Sequence, residues 1–331
     1  MTEIENTLIT HQIYFERYKT GEVNKLLQLL EDANTQIKKL ILETKTIGTK
    51  KHYEKVITEI KKLAAETRSV LESTLRTDGF ALTESELDYL RGKMIKTIGA
   101  DINFIKPSSK QVFEAAMFIP LSDTATFESF LNSFENGLFS IWDSAIRTGY
   151  ITGQSTKQVV KDVLGRVNKD GIKEEGLIKT LENSVKRNTR TAMQAFANEA
   201  HRSVYEQNDD LFIGYKYLAT LDTRTCILCG SDDAKTYKSL KDAPVLPRHH
   251  HCRCIIVPIV SMLNYESERA SMDGPVSEKV TFEDWLREQS AERQRDVLGP
   301  MRYKLFAQGI RIKEFVSDGR VLTLKEFREA M

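Results

Sequence analysis

The stretch from Tyr217 to Pro258 constrains this chain more than any other, because it holds all four cysteines, Cys226, Cys229, Cys252 and Cys254, with His249, His250 and His251 beside them. Written out, it is C-x2-C, nineteen intervening residues, then HHHCRC. Thiolates and imidazoles at this spacing suit a tetrahedral zinc ion: the C-x2-C knuckle supplies two ligands and the second cluster two more. Two registers compete in that second cluster, His249 with Cys252 and His251 with Cys254. The favoured set is Cys226, Cys229 and His249 with Cys252 or Cys254 as the fourth ligand, and His251 is the alternative imidazole. Four S/N ligands leave no position for water, which marks a structural zinc rather than a catalytic one.

Cysteines confined to one short stretch argue for metal ligation in a reducing cytoplasm over a disulfide framework. A length of 331 residues leaves room for more than one compact part. Lys and Arg total 48 against 47 Asp and Glu, so any attraction to nucleic acid must come from a local face. The N-terminus lacks the basic start and apolar core of a signal peptide. The run from Cys254 to Leu263 is too short to span a bilayer, so no membrane anchor is expected.

The expected fold is mainly α, with long helical N-terminal and central parts, a small two-stranded zinc-stabilised unit near 212–260, and a helical C-terminal tail. Apolar residues at Val23, Leu26, Leu27, Leu30, Ala33, Ile37, Leu40 and Ile41 predict a helix over 22–47, stopped by Gly48. A second over 51–77 would bury Tyr53, Val56, Ile60, Leu63, Val70 and Leu75 and pair with the first as an antiparallel hairpin. Thr83 and Glu86 read as the capping box of a third, which ends near Gly99. After a connection with a short helix at 111–117, a stripe of Phe127, Phe130, Leu131, Phe134, Leu138, Trp142, Ala145 and Ile146 predicts a helix over 125–147, with breaks at Gly149 and Gly153. Ser155 and Gln158 cap the next.

A helix over 174–207 follows. Between Ile151 and Arg202 there are 10 Lys and Arg against 6 Asp and Glu, and Lys186, Arg187, Arg190 and Arg202 are candidate contacts to the phosphates of DNA. The plainer reading is a solvated face paired with nearby Glu. Strands are expected at 212–219 and 255–257, the second stopped by Pro258. Residues 266–279 read as a linker, and Thr323 with Glu326 caps a last helix. The segments are therefore 1–105, an N-terminal helical region; 106–264, a core with helices and the zinc unit; 265–280, a linker; and 281–331, the helical tail.

No Gly-rich phosphate loop, Ser/His/Asp set or paired carboxylates stand out, so no catalytic residue is assigned. The alternative is an HNH-like metal-dependent nuclease using His249 to His251. That unit needs a ligand-bearing helix after the His-bearing strand, and CRCIIVPIV reads as strand and proline.

Several segments in order resemble the Mu F-like head morphogenesis proteins, the minor head proteins of tailed bacteriophages. ATLDTRTCILCGSDD is similar to the family's aromatic strand, Asp, Arg-Thr pair and C-x2-C; LPRHHHCRCIIVP is similar to its H-P-x-C-R-C and apolar strand, with His249 at the family's His and His250 where proline is usual. GYITGQSTKQVVKDV, RNTRTAMQAFANEAHRSVYEQN, FEDWLREQSAERQRDVLGPMRYKLFAQG and LTLKEF extend the likeness over about 127–327. The resemblance implies a structural virion protein of few copies at the portal vertex or head interior, present in host cytoplasm during assembly. Its implied partners are the portal protein, other head or scaffold proteins and packaged double-stranded DNA, bound weakly and without sequence preference. It would carry structural Zn2+, and ejection with the genome is a further implication.

Overall fold

A computed structural model describes residues 3–43, 50–99, 104–121, 125–167, 169–170, 172–260 and 268–330. Among the described residues 67% are helical and 10% strand, in ten α-helices and nine strands. In order these are α1 (Glu3–Glu43), α2 (Lys50–Ile98), α3 (Ser109–Ala116), α4 (Phe127–Thr152), α5 (Thr156–Leu164), the strands β1 (Gly165–Val167) and β2 (Lys173–Glu175), then α6 (Lys179–Gln207). They are followed by β3 (Gly214–Leu218), α7 (Ile227–Ser231), β4 (Thr236–Tyr237), β5 (Ile255–Ile259), β6 (Glu268–Ser271) and β7 (Gly274–Ser277). The chain ends in α8 (Phe282–Arg287), α9 (Ala291–Ala307), β8 (Val316–Ser317), β9 (Arg320–Val321) and α10 (Leu324–Ala330).

Two compact units result, and they do not follow the sequence segments cut at 105, 264 and 280. One comprises 17–81 and 117–193; the other comprises 1–16, 82–116 and 194–331. In the first, all eight residues of the aromatic stripe on α4 are buried. Trp142 at their centre donates its Nε1 hydrogen to Asn34 on α1 at 2.9 Å. Val23, Leu26, Leu30, Ala33, Ile37 and Ile41 bury one face of α1; on α2, Val56, Ile60, Leu71 and Leu75 do so, while Val70 is 46% exposed. Polar pairs stitch α2 to α4, with Tyr53 donating to Asp143 at 2.7 Å and Arg68 to Glu128 at 2.6 Å. α4 starts at a capping box between Thr126 and Ser129, runs on through Gly149 and ends at Gly153, whose φ of 69° suits only glycine well. Gly149 is needed for packing instead: a Cβ there would stand 2.3 Å from Val159 of α5. α6 begins at Lys179 rather than near 174, because 173–175 pair with 165–167 as a small antiparallel hairpin.

The second unit is built on a core in which Leu8, Leu87, Leu90, Met94, Val112, Ala200, Val204 and Tyr205 pack with Tyr215, Leu218, Ile255 and Val257. β4, β3 and β5 form one antiparallel sheet in that order, so the expected two-stranded unit has three strands. Pro258 lies inside β5 opposite Tyr215 and does not end it; β5 is an edge strand, where a missing N–H is tolerated. The expected linker carries the β6–β7 hairpin. Thr281 with Asp284 and Thr323 with Glu326 both form reciprocal caps, and the tail packs on the C-x2-C helix through Leu221, Ile227, Phe282, Trp285, Leu286, Phe306 and Phe315.

The first expected stop, Gly48, lies outside the described residues. The second and third expected helices are one, because α2 passes through 78–83 without a break. Thr83 is buried within it, and Glu86 does not reach back to cap. Instead the Glu86 carboxylate accepts from His11 Nε2 at 2.9 and 3.0 Å and from His201 Nε2 at 2.9 Å, tying α2 to α1 and α6 within this unit. Burial would raise Glu86, but these hydrogen bonds and imidazole charges outweigh it and bring it down to about 2. A depressed carboxylate stabilises the fold above its unfolded range and loses that contribution as pH falls through the folded value. Glu86→Gln is therefore expected to cost on the order of 2–3 kcal/mol at neutral pH. The deficit should fade between about pH 4.5 and 2, read as apparent Tm by circular dichroism across pH.

Candidate metal centre

The cluster is assembled by three pieces of local structure. Cys226 caps the short helix α7, its sulfur accepting from the Cys229 amide at 3.4 Å, which brings the two knuckle sulfurs together. A tight turn closes residues 249–252, with the Cys252 amide on the His249 carbonyl at 3.1 Å and His251 at a φ of 61° in its third position. Cys254 then enters β5, which pairs with β3 and so returns both ends of the loop to one place.

Two groups of ligand atoms are close enough to share an ion, Cys226 with Cys229 and His249, and Cys229 with Cys252 and Cys254. His249 Nε2 stands 3.2 Å from Cys226 Sγ and 3.1 Å from Cys229 Sγ. Neighbouring ligands of a tetrahedral zinc, with bonds of about 2.3 Å to sulfur and 2.0 Å to nitrogen, are about 3.5 Å apart. His249 Nδ1 donates to the His250 carbonyl at 2.7 Å, which turns Nε2 toward the sulfurs as a metal-binding imidazole requires. His251, the alternative imidazole, is exposed and joins neither group among the described residues. Cys229, Cys252 and Cys254 are each 2% exposed.

The electrostatics of the donor set fit a cation. The Cys229 hydrogen bond, then His249, lower the Cys226 thiol to about 4 against the cost of burial, and Cys252 is held well below its usual range by Cys229 first and by Cys254. Cys226 raises His249 to about 9. Cys229 is driven up, chiefly by Cys226. Sulfurs this close oppose one another's ionisation because like charges repel, and an ion among them would let all ionise.

The surroundings that hold the cluster went unread in the sequence. Arg253, between the last two cysteines, forms a two-point pair with Asp222, its Nη2 on Oδ1 at 2.7 Å. Asp233, just after the knuckle, is fully buried and accepts from the Ala219 amide at 2.8 Å, the Phe282 amide at 2.7 Å, and Arg269 at 2.8 and 2.7 Å. Arg269 of β6 also donates to the Ala219 and Val280 carbonyls at 2.5 and 3.1 Å. Gly230 admits α8 against α7, since a Cβ there would meet Phe282 at 2.3 Å. The only signal for Arg269 and Asp233 was their charge in stretches that otherwise read as loop, and charge alone reads as solvated.

The basic candidates do not form one group. Lys186, Arg187 and Arg190 belong to the unit of 17–81 and 117–193, Arg202 to the other. Arg190 donates to the Thr20 hydroxyl at 2.7 Å, and Arg202 is engaged by Glu206 at 3.1 Å; Arg187 is exposed and Lys186 half-buried.

No family model, curated protein or solved structure matches this chain. What the geometry defines is a mainly helical protein with a buried Cys/His cluster able to hold a metal ion.

Breaking a buried ion pair by removing one partner costs about 3–5 kcal/mol. Arg269→Met is expected to destabilise its unit by that amount in urea unfolding followed by circular dichroism. Adding Asp233→Leu should recover part of the loss, since no charge is then left unpaired, but not all, because the Ala219 and Phe282 amides lose their acceptor.

Proposed function

We propose that this chain is a structural minor head protein of a tailed phage whose Cys/His cluster carries a structural zinc. The single observation that supports the zinc reading is the convergence of S/N donors on Cys229, which belongs both to a group with Cys226 and His249 and to a group with Cys252 and Cys254. Cys226, Cys229 and His249 hold the ion with Cys252 or Cys254, and the ion would supply charge neutralisation and a cross-link, not an activated water. The portal and DNA assignments rest on the quoted segments that resemble the Mu F-like family. Lys186 and Arg187 are the better placed DNA or portal contacts; Arg190 and Arg202 already have protein partners.

After the cysteine strand the described residues continue into the β6–β7 hairpin rather than a ligand-bearing helix, which favours the structural reading over an HNH-like nuclease. Purified protein is expected to carry about one zinc per chain by elemental analysis. Cys226→Ser with Cys229→Ser should abolish it and lower the Tm of the unit that holds the cluster. Retained zinc or unchanged folding would sink the assignment. No Mg2+- or Zn2+-supported DNA cleavage should be detectable, so cleavage lost in His249→Ala would establish the nuclease instead. For the virion role, mass spectrometry of purified phage particles should find the chain in few copies, cross-linked to the portal protein; its absence from particles would overturn that role.

A further inference from the structure

Tyr217 lies on β3, where its amide donates to the Lys235 carbonyl at 2.9 Å and its carbonyl accepts from the Ala234 amide at 2.9 Å, and it pairs with Ile256 of β5 on the other side. The side chain is 0% exposed and packs with Cys229, Cys252, Cys254 and Leu246. The Arg248 guanidinium stands 6.0 Å from the ring centroid, itself anchored to Asp232 at 2.6 Å. The phenol hydroxyl is buried with no hydrogen-bond partner among the described residues. Leaving such a group unsatisfied costs about 1–3 kcal/mol. A neutral thiol is a weak acceptor, whereas an ionised one makes a charge-assisted hydrogen bond.

We propose that Tyr217 is a positioning residue of the metal centre, its hydroxyl donating to a metal-bound thiolate on the Cys229 and Cys254 side of the cluster. This rests on the metal reading above. The donated hydrogen bond draws charge from the sulfur, fixes its orientation, and gives the buried hydroxyl the partner it otherwise lacks. Outer hydrogen bonds of this kind change metal affinity by about 10–100-fold.

The test uses the full-length protein, wild type and Tyr217→Phe, loaded with Zn2+ and with Co2+. Competition against a chromophoric chelator is expected to show affinity reduced by at least about 10-fold in Tyr217→Phe. The sulfur-to-cobalt charge-transfer band should shift, which a loss of packing alone would not produce. Replacing Tyr217 with a fluorinated tyrosine, whose hydroxyl is a stronger donor, should slow metal release, the opposite sign to phenylalanine; this comparison stands even if Tyr217→Phe folds poorly. Wild-type affinity and an unshifted band in Tyr217→Phe, or a fluorotyrosine that releases metal no more slowly, would overturn the role of Tyr217 alone. A wild-type protein that binds neither ion would overturn the metal reading beneath it.

Discussion

The Asp233 carboxylate is the point on which the unit with the Cys/His cluster depends. Four donors converge on it from the end of β3, the start of α8 and the β6 hairpin, and it follows the C-x2-C helix by a few residues. A buried carboxylate is costly unless every lone pair is used, and here the two amides and the Arg269 fork use them. Those contacts fix where the knuckle sits relative to the strand that carries Tyr217. They also make the C-terminal helices part of the same hydrophobic body, since Leu221 and Ile227 pack with Phe282, Trp285 and Phe315. A metal in the cluster would join two ends of a loop that is already anchored, so its role is to cross-link rather than to create the fold.

The other unit is held differently. Its core is an aromatic and aliphatic stripe on α4 against faces of α1 and α2, with Trp142 and Asn34 as a buried polar pin. Apolar burial is non-directional, so it settles that these helices pack but not their register. Directional groups such as the Tyr53–Asp143 and Arg68–Glu128 contacts restrict the register further. Glu86 does the same in the unit with the Cys/His cluster, one carboxylate serving imidazoles from two other helices.

Helical periodicity made most of the fold legible. The stripe from Phe127 to Ile146 is buried as its three-and-four spacing implies, and the caps read at Ser155 and Thr323 start helices because their partners lie three residues on. The same Thr-x-x-Glu pattern misled at Thr83, where neighbouring helices claim the Glu86 side chain before a local cap can. The expected linker misled in the opposite direction: a polar run with Gly274 and Pro275 reads as linker, yet 268–277 fold as a hairpin whose Arg269 pairs with a buried carboxylate far along the chain. On α2 the buried residue is Leu71 rather than Val70, and the helix's own period accounts for it, since Leu71 stands three full turns on from Ile60.

By itself the sequence determined the ingredients of the metal centre, because C-x2-C and HHHCRC are chemical statements: sulfur and imidazole donors at spacings a short chain can close. It also determined that the body is helical, since amphipathic periodicity is a local property. Only the tertiary structure decided that His249 rather than His251 meets the sulfurs, through a turn that leaves His251 exposed at positive φ. It alone placed Tyr217 against the cysteines and joined Asp233 to Arg269. Those outcomes depend on which distant groups satisfy a buried polar atom, and sequence spacing carries no record of partners that the fold brings together.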